Sequence, residues 1–297
     1  MKKQIILGVV AYNHMPQVQT ALKIIDEWAA KYNSVIIYLS APLHDHATPR
    51  MHTAGEHELH KCNFLVAIGG DGTFLSAAKF VAGYDVPILG VNTGNIGFLA
   101  DYPVEALPAA LESIAQENYA IRERFMMDLF IRKGKKILHR DIFLNEVNLK
   151  PRNHRGMVNL AVKVNSEYLT NYWADSLLIS TPTGSTAYNL SAGGPILYPT
   201  TEAIILNPVN PSSLSVRPLI IPSESEIIAK ETDNMTVQII LDGRVDYLAR
   251  PSEEILIRKS KHRTCVIKSR DYGFVDALRE KLGWSGSNRL QRIPHAH

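Results

Sequence analysis

The chain has 297 residues, 45% hydrophobic and 21% charged, with a formal net charge of +3. That length supports a large core and most simply two domains, and the composition is that of an ordinary globular protein. The charge is too small to argue for nucleic acid, the two cysteines, Cys62 and Cys265, form no disulfide framework, and no stretch is long and apolar enough to cross a membrane.

Both cysteines are read as buried thiols. The apolar run Ile5 to Val10 is short and lacks a small-residue cleavage site after it, so it reads as a first buried strand in a cytoplasmic protein. Met15 to Tyr32 follows, with Val18, Ala21, Leu22, Ile25 and Trp28 in helical spacing. Val35 to Leu39 is a second strand. His44, His46, His52, His57 and His60 then crowd one stretch. His57 and His60 could share a helical face, but no Cys or carboxylate joins them at a zinc spacing, so a solvated, mobile loop is expected.

Phe64 to Ile68 is the third strand, and it runs into Gly69-Gly70-Asp71-Gly72-Thr73. The glycines permit unusual backbone angles and a close ligand. Phe74 to Val81 has the spacing of a helix packed on a sheet. A strand, a glycine turn and a helix start together favour a phosphate. Asp71 would repel that phosphate; a metal ion, a proton-transfer role or a simple Asp-closed turn would each account for it. Pro87 to Val91 is a fourth strand. It leads to a second polar turn, Asn92-Thr93-Gly94-Asn95-Ile96-Gly97-Phe98-Leu99, at the same edge of the sheet, before a helix from Val104 to Gln116. Alternating strands and helices predict a parallel sheet with helices on both faces, with ligands at the C-terminal strand ends.

Beyond residue 120 the pattern becomes all-β. Phe125 to Arg132, Ile137 to Leu149, Val158 to Val164, Leu177 to Ser180, Ile227 to Ala229, Val237 to Leu241 and Ile255 to Lys259 read as strands, with turns at Lys133-Gly134-Lys135 and Asp242-Gly243-Arg244. A sheet-on-sheet β sandwich is expected. Val275 to Leu282 is helical and is expected to return to the first domain. The predicted division is 1–120 with 275–297, and 121–274.

Three polar clusters mark the second half. Asn145-Glu146 sits inside an apolar strand and either contacts a ligand or bonds to a neighbouring turn. Asp175 to Pro195 is rich in hydroxyls and glycine, with Tyr188 able to stack on a flat base. Ser185 follows Gly184, but Ala187 fills the last position of a Gly-x-Ser-x-Gly elbow and no histidine is placed as base, which disfavours a hydrolase. Asn207 to Pro218 reads as a proline-punctuated loop. Neither common nucleotide loop is present, so nucleotides would bind by another scheme.

Taken in order, Gly69-Gly70-Asp71-Gly72-Thr73, Gly90 to Leu99, Asn145-Glu146 and Ser180 to Tyr188 resemble the ATP-dependent NAD kinases, and Leu282-Gly283-Trp284-Ser285 resembles the bacterial, Gram-negative type. The resemblance covers almost the whole chain. It implies transfer of the γ-phosphoryl of ATP to the 2′-hydroxyl of the adenosine ribose of NAD, with a divalent cation, Mg²⁺, beside the phosphates. It also implies that Asp71 accepts the hydroxyl proton. Asn145 and Glu146 would meet the NAD adenosine, and Asp175 the nicotinamide end. Gly70, Gly72, Thr73, Asn95, Phe98, Thr183, Thr186, Ala187, Tyr188, Asn189, Ser191 and Arg244 would line the NAD and ATP sites. No residue set is assigned as metal ligands. A homodimer or homotetramer is implied, with no nucleic acid or membrane partner. Trp173, Ser176, Ser212, Gly156 and Arg244 replace common family residues around the nicotinamide end or subunit contacts. The rival readings are a lipid or sugar kinase sharing the glycine turn, and a catalytically silent NAD(P)-binding sensor.

Overall fold

The computed structural model describes residues 4–12, 15–32, 35–94, 97–152, 156–268 and 273–284. They form two compact units. One contains the chain up to Ala77, Val86–Arg122 and the segment from Val266; the other contains Ala78–Asp85 and Glu123–Cys265.

The first unit carries β1 (Ile5–Val10), α1 (Pro16–Ala29), β2 (Val35–Ser40), β3 (Met51–Ala54), α2 (Glu56–Leu59), β4 (Phe64–Gly69), the start of α3 (Asp71–Phe80), β5 (Ile88–Asn92), β6 (Tyr102–Pro103) and α4 (Leu107–Ala115). All pairings here are parallel and give the order β3-β2-β1-β4-β5, with β6 beyond β5. The order reverses between β1 and β4, and the glycine turn leaves the end of β4, where a doubly wound sheet opens its ligand crevice. Val18, Ala21, Leu22, Ile25 and Trp28 of α1 pack with α4 against Leu7, Val9, Val66, Ile68, Leu89 and Val91 on one face. The other face is covered closely: a Cβ on Gly8 would meet Leu59 and Cys62, and one on Gly90 would meet Phe74. Burial pushes the Cys62 thiol up to about 12; Cys265 is half-buried, and both are free.

The histidine stretch is not a loop. A 3₁₀ turn (Ala41–His46), β3 and α2 occupy it, and β3 pairs in parallel with β2 from Ile37↔Met51 to Ser40↔Ala54. Only Met51 and Ala54 of β3 are buried, so this edge strand lacks the apolar run of the central ones. The His57 and His60 rings meet edge-on, 6.3 Å apart.

The second unit contains most of β7 (Ala120–Lys133) and β8 (Lys136–Phe143), β9 (Glu146–Pro151), β10 (Val158–Val164), β11 (Glu167–Ser180), the short α5 (Tyr188–Ser191), β12 (Ala203–Pro211), β13 (Leu219–Pro222), β14 (Ile227–Glu231), β15 (Val237–Leu241), β16 (Arg244–Ala249) and all but the end of β17 (Glu254–Lys268). Its registered pairings are antiparallel. The long β11 pairs along one edge with β10 and then β9, and along the other with β12. The core takes alternate residues: 125, 127, 129 and 131 of β7, 158, 160 and 162 of β10, 237, 239 and 241 of β15. That two-residue period is the signature of strands with one face inward.

Two expectations change here. Ile137 to Leu149 is not one strand; it breaks after Phe143 and restarts at Glu146. The supposed loop at Asn207 begins as β12. Past Leu206 that strand has lost β13 and pairs only with β11, and such an edge tolerates Pro208 and Pro211. The last strand, β17, ends in the first unit, where Val266 and Ile267 pair with Ile88 and Leu89 of β5; α6 (Phe274–Leu282) follows, closed by left-handed Gly283.

Candidate active site

In the first unit, Asp71 opens α3 and its carboxylate fills a nest of backbone N–H groups. Oδ2 accepts from Phe98, and Oδ1 from Leu99 and Ala100, each at 3.0 Å. The turn is closed by Gly97 N–H donating to the Ala100 carbonyl at 2.8 Å. A Cβ at 97 would lie 2.0 Å from Asp71 Oδ1, so this close approach requires glycine. The two glycine turns also touch directly: Thr93 N–H donates to the Gly69 carbonyl at 3.0 Å. Gly70 and Gly72 face open space, and Thr73 is half-buried beside them. Three of the roughly four lone-pair positions of the carboxylate are used, leaving one on Oδ2. Lys281 of α6 brings its ammonium to 4.0 Å from that oxygen and 4.7 Å above the Phe98 ring. Lys268 holds the nest from behind, donating to the Phe98 carbonyl at 3.1 Å and to buried Asp101 at 3.0 Å. Burial raises the Asp101 carboxyl, and Lys268 opposes that. Asn95 lies outside the described residues.

In the second unit, Asn145 lies in the break between β8 and β9 and Glu146 is the first residue of β9; both are buried. Among the described residues, Asn145 Oδ1 and Glu146 Oε2 are buried with no hydrogen-bond partner. Burial, and then the charge of Asp242, pushes the Glu146 carboxyl up to about 8. Buried polar atoms are ordinarily satisfied, so two open acceptors side by side mark a place for ligand donors. The hydroxyl-rich stretch is built against this break. Thr181 donates its N–H to the Asn145 carbonyl at 2.9 Å and its hydroxyl to the Leu144 carbonyl at 2.6 Å. A Cβ on Gly184 would sit 2.1 Å from the Asn145 carbonyl oxygen, so glycine is required there too.

The remaining sequence-predicted residues separate by exposure. Thr183 is buried; Thr186 and Ala187 are half-buried, with the Thr186 hydroxyl on the Thr183 carbonyl at 3.2 Å. Tyr188 and Ser191 are exposed, as is Arg244. Asp175 is exposed and accepts from Asn210 at 2.9 Å. Asn189 is fully buried; it donates to the Ser185 and Pro195 carbonyls and accepts from Asn207 at 3.1 Å, so its side chain braces the turn from within. Ser185 is also fully buried, donating to the Pro182 carbonyl at 2.7 Å and accepting from Leu197 at 3.0 Å, so its hydroxyl is not an exposed nucleophile. Among the described residues, His139, Asp141 and Asp246 have metal-ligating composition within reach of one another. Lys79 is bonded to Asp141, and His139 lies 2.6 Å from Asp246, so the cluster is already a closed ion network.

A doubly wound sheet with a carboxylate and glycine turn at its switch point, in one chain with a hydroxyl-lined β sandwich, defines a nucleotide-dependent phosphotransferase. Family models agree: the ATP-NAD kinase N-terminal domain matches residues 17–119 and the ATP-NAD kinase C-terminal domain matches 144–269. A NAD kinase of Sulfurimonas denitrificans is 32% identical over 281 residues, covering 94% of this chain and 96% of its own. One from Shewanella loihica is 31% identical over the same shares. The chain belongs to the NAD kinase family. The fold is shared with a yeast NADH kinase solved with NADH (TM-score 0.88, 24% identity, 97% of this chain and 90% of that one) and an Archaeoglobus fulgidus NAD kinase solved with ATP (0.70, 23%, 95% and 99%).

Proposed function

We propose that this chain transfers the γ-phosphoryl group of ATP to the 2′-hydroxyl of the adenosine ribose of NAD, giving NADP and ADP. The observation that carries the reading is the Asp71 carboxylate, fixed by three N–H groups with one lone-pair position left on Oδ2 at a helix start beside two open glycines. The 2′-oxygen forms a bond to the γ-phosphorus as the bond to the bridging oxygen of ADP breaks, and the hydroxyl proton passes to Asp71 Oδ2 and on to water. In such a transfer the protein mainly orients groups and neutralises charge, so a fixed carboxylate that aligns the hydroxyl serves as much as one that removes its proton.

The open acceptors of Asn145 and Glu146 suit the adenosine, whose amino and hydroxyl groups are donors. Thr183, Thr186, Ala187 and Ser191 line that site, with the Tyr188 ring available for stacking; Asp175 and Arg244 serve the nicotinamide end. Gly70, Gly72, Thr73 and Phe98 surround the phosphates. The Asn189 side chain supports the turn from within. A divalent cation, when bound with the nucleotide, would neutralise phosphate charge. The residues present fit one carried on the nucleotide, because Asp71 keeps a single open position and Asp101 is engaged by Lys268.

Purified protein given NAD, ATP and Mg²⁺ is expected to form NADP, and Asp71→Asn to be slower by about a hundredfold or more. Folded protein that makes no NADP would overturn the reading. A variant as fast as the parent would remove Asp71 from its role.

A further inference from the structure

The break between β8 and β9 has a complete backbone account. The N–H groups of Leu144, Asn145 and Glu146 all donate to one side chain, the Asp242 carboxylate, at 2.9, 2.7 and 3.2 Å. Their carbonyls are taken as well: Thr181 Oγ1 donates to Leu144, Thr181 N–H to Asn145, and Asp242 N–H to Glu146 at 3.0 Å. Leu144 and Asn145 stand outside the registered ladders; pairing resumes with Glu146 opposite Ser180 of β11 and Val147 opposite Leu241 of β15. Asp242 is the next residue after that pair, in the left-handed region at φ 47°, which turns its carboxylate back toward the break. Replacing that carboxylate would strand several backbone donors at the root of two buried polar side chains.

We propose that Asp242 is a positioning residue for NAD: its carboxylate fixes the backbone of Leu144–Glu146 and so sets the direction in which Asn145 and Glu146 meet the adenosine. This rests on the reading that Asn145 and Glu146 contact NAD. Burial pushes the Asp242 carboxyl up to about 6, against the pull of its three N–H donors, while Glu146 sits at about 8. At neutral pH Asp242 therefore carries the negative charge that the nest needs, and Glu146 keeps its proton. The charge and the ligand-facing carboxyl are divided between two residues.

The test compares steady-state kinetics of Asp242→Asn, Asn145→Ala and the double variant, with ATP and NAD varied separately. Asp242→Asn is expected to raise the KM for NAD by about tenfold, the size of one lost charge-assisted hydrogen bond, with the KM for ATP changed by less than about threefold. In the Asn145→Ala background the same substitution is expected to add little, because the group it positions is gone. Equal effects on both KM values, or full additivity in the double variant, would mean a general structural role and overturn the proposal. If Asn145→Ala alone leaves the KM for NAD unchanged, the NAD-contact reading fails, and the proposal with it. If Asn145→Ala acts and Asp242→Asn is silent, the positioning proposal alone fails. Should Asp242→Asn not fold, Asp242→Glu, which keeps the charge but displaces it by one methylene, is read on the same KM ratio.

Discussion

Asp71 and Asp242 perform the same physical task in the two units. Each gathers three successive backbone N–H groups and thereby fixes a short segment, the second glycine turn in one unit and the break before β9 in the other. Asp71 was visible in the sequence because three glycines surround it and a helix follows. Asp242 was not, because Asp-Gly between two strands is the ordinary mark of a hairpin turn, and nothing local says which distant amides its side chain will find. The neighbour it leaves behind gives a sharp prediction. Glu146 holds its proton to about pH 8 in the folded state against an ordinary value of 4.5. Between those values the folded chain binds more protons than the unfolded one, so this group's contribution falls as pH rises and is fully lost above about 8. Glu146→Gln removes that dependence. The variant is expected to match the parent near pH 5 and to exceed it near pH 9, by an amount on the order of 4 kcal/mol. Urea unfolding at the two pH values measures it, and parallel pH responses in parent and variant would refute a neutral Glu146.

Elements were legible where one periodicity governed them. The apolar stripe of α1 and the alternate residues of β7, β10 and β15 are the buried ones. Elements were missed where a neighbour, and not the pattern, decided the outcome. The edge strand β3 needs only Met51 and Ala54 inside, β12 keeps its prolines because its outer edge is bare there, and the strand through 144–145 is cut by a side chain nearly a hundred residues away. Helix α6 was foreseen as an element but not as part of the site. Its Lys281 stands 4.0 Å from Asp71 Oδ2 and over Phe98, so it adds positive charge where triphosphate is proposed to bind. The side chain is 28% exposed, which limits its effect. Lys281→Met is expected to raise the KM for ATP by roughly two- to fivefold at low salt and by less at high salt, with Lys281→Arg close to the parent. An unchanged KM at low salt would exclude the ammonium from phosphate binding.

At the scale of the molecule, the sandwich is an insertion: the chain leaves the first unit near Arg122 and re-enters it at Val266. The core of the sandwich is complete by Ile257. The first unit, by contrast, depends on what comes after. Val266 and Ile267 are buried against β5, Ala277 and Leu278 of α6 are buried, and Lys268 neutralises Asp101, a carboxylate only 4% exposed. A chain ending at Cys265 would leave Asp101 buried without its cation, a loss of about 3–5 kcal/mol by itself, and would strip an edge partner from β5. Since whole domains of this kind are stable by only about 5–15 kcal/mol, that truncation is expected to unfold or nearly unfold the first unit. The sandwich, whose core is untouched, should persist. Hydrogen exchange resolves the two outcomes: amides of β1, β4 and β5 should lose protection while those of β10, β11 and β15 keep theirs. Loss of protection in both sets together would show instead that the units fold as one cooperative block, and that the returning segment holds up the sandwich as well as the sheet it joins.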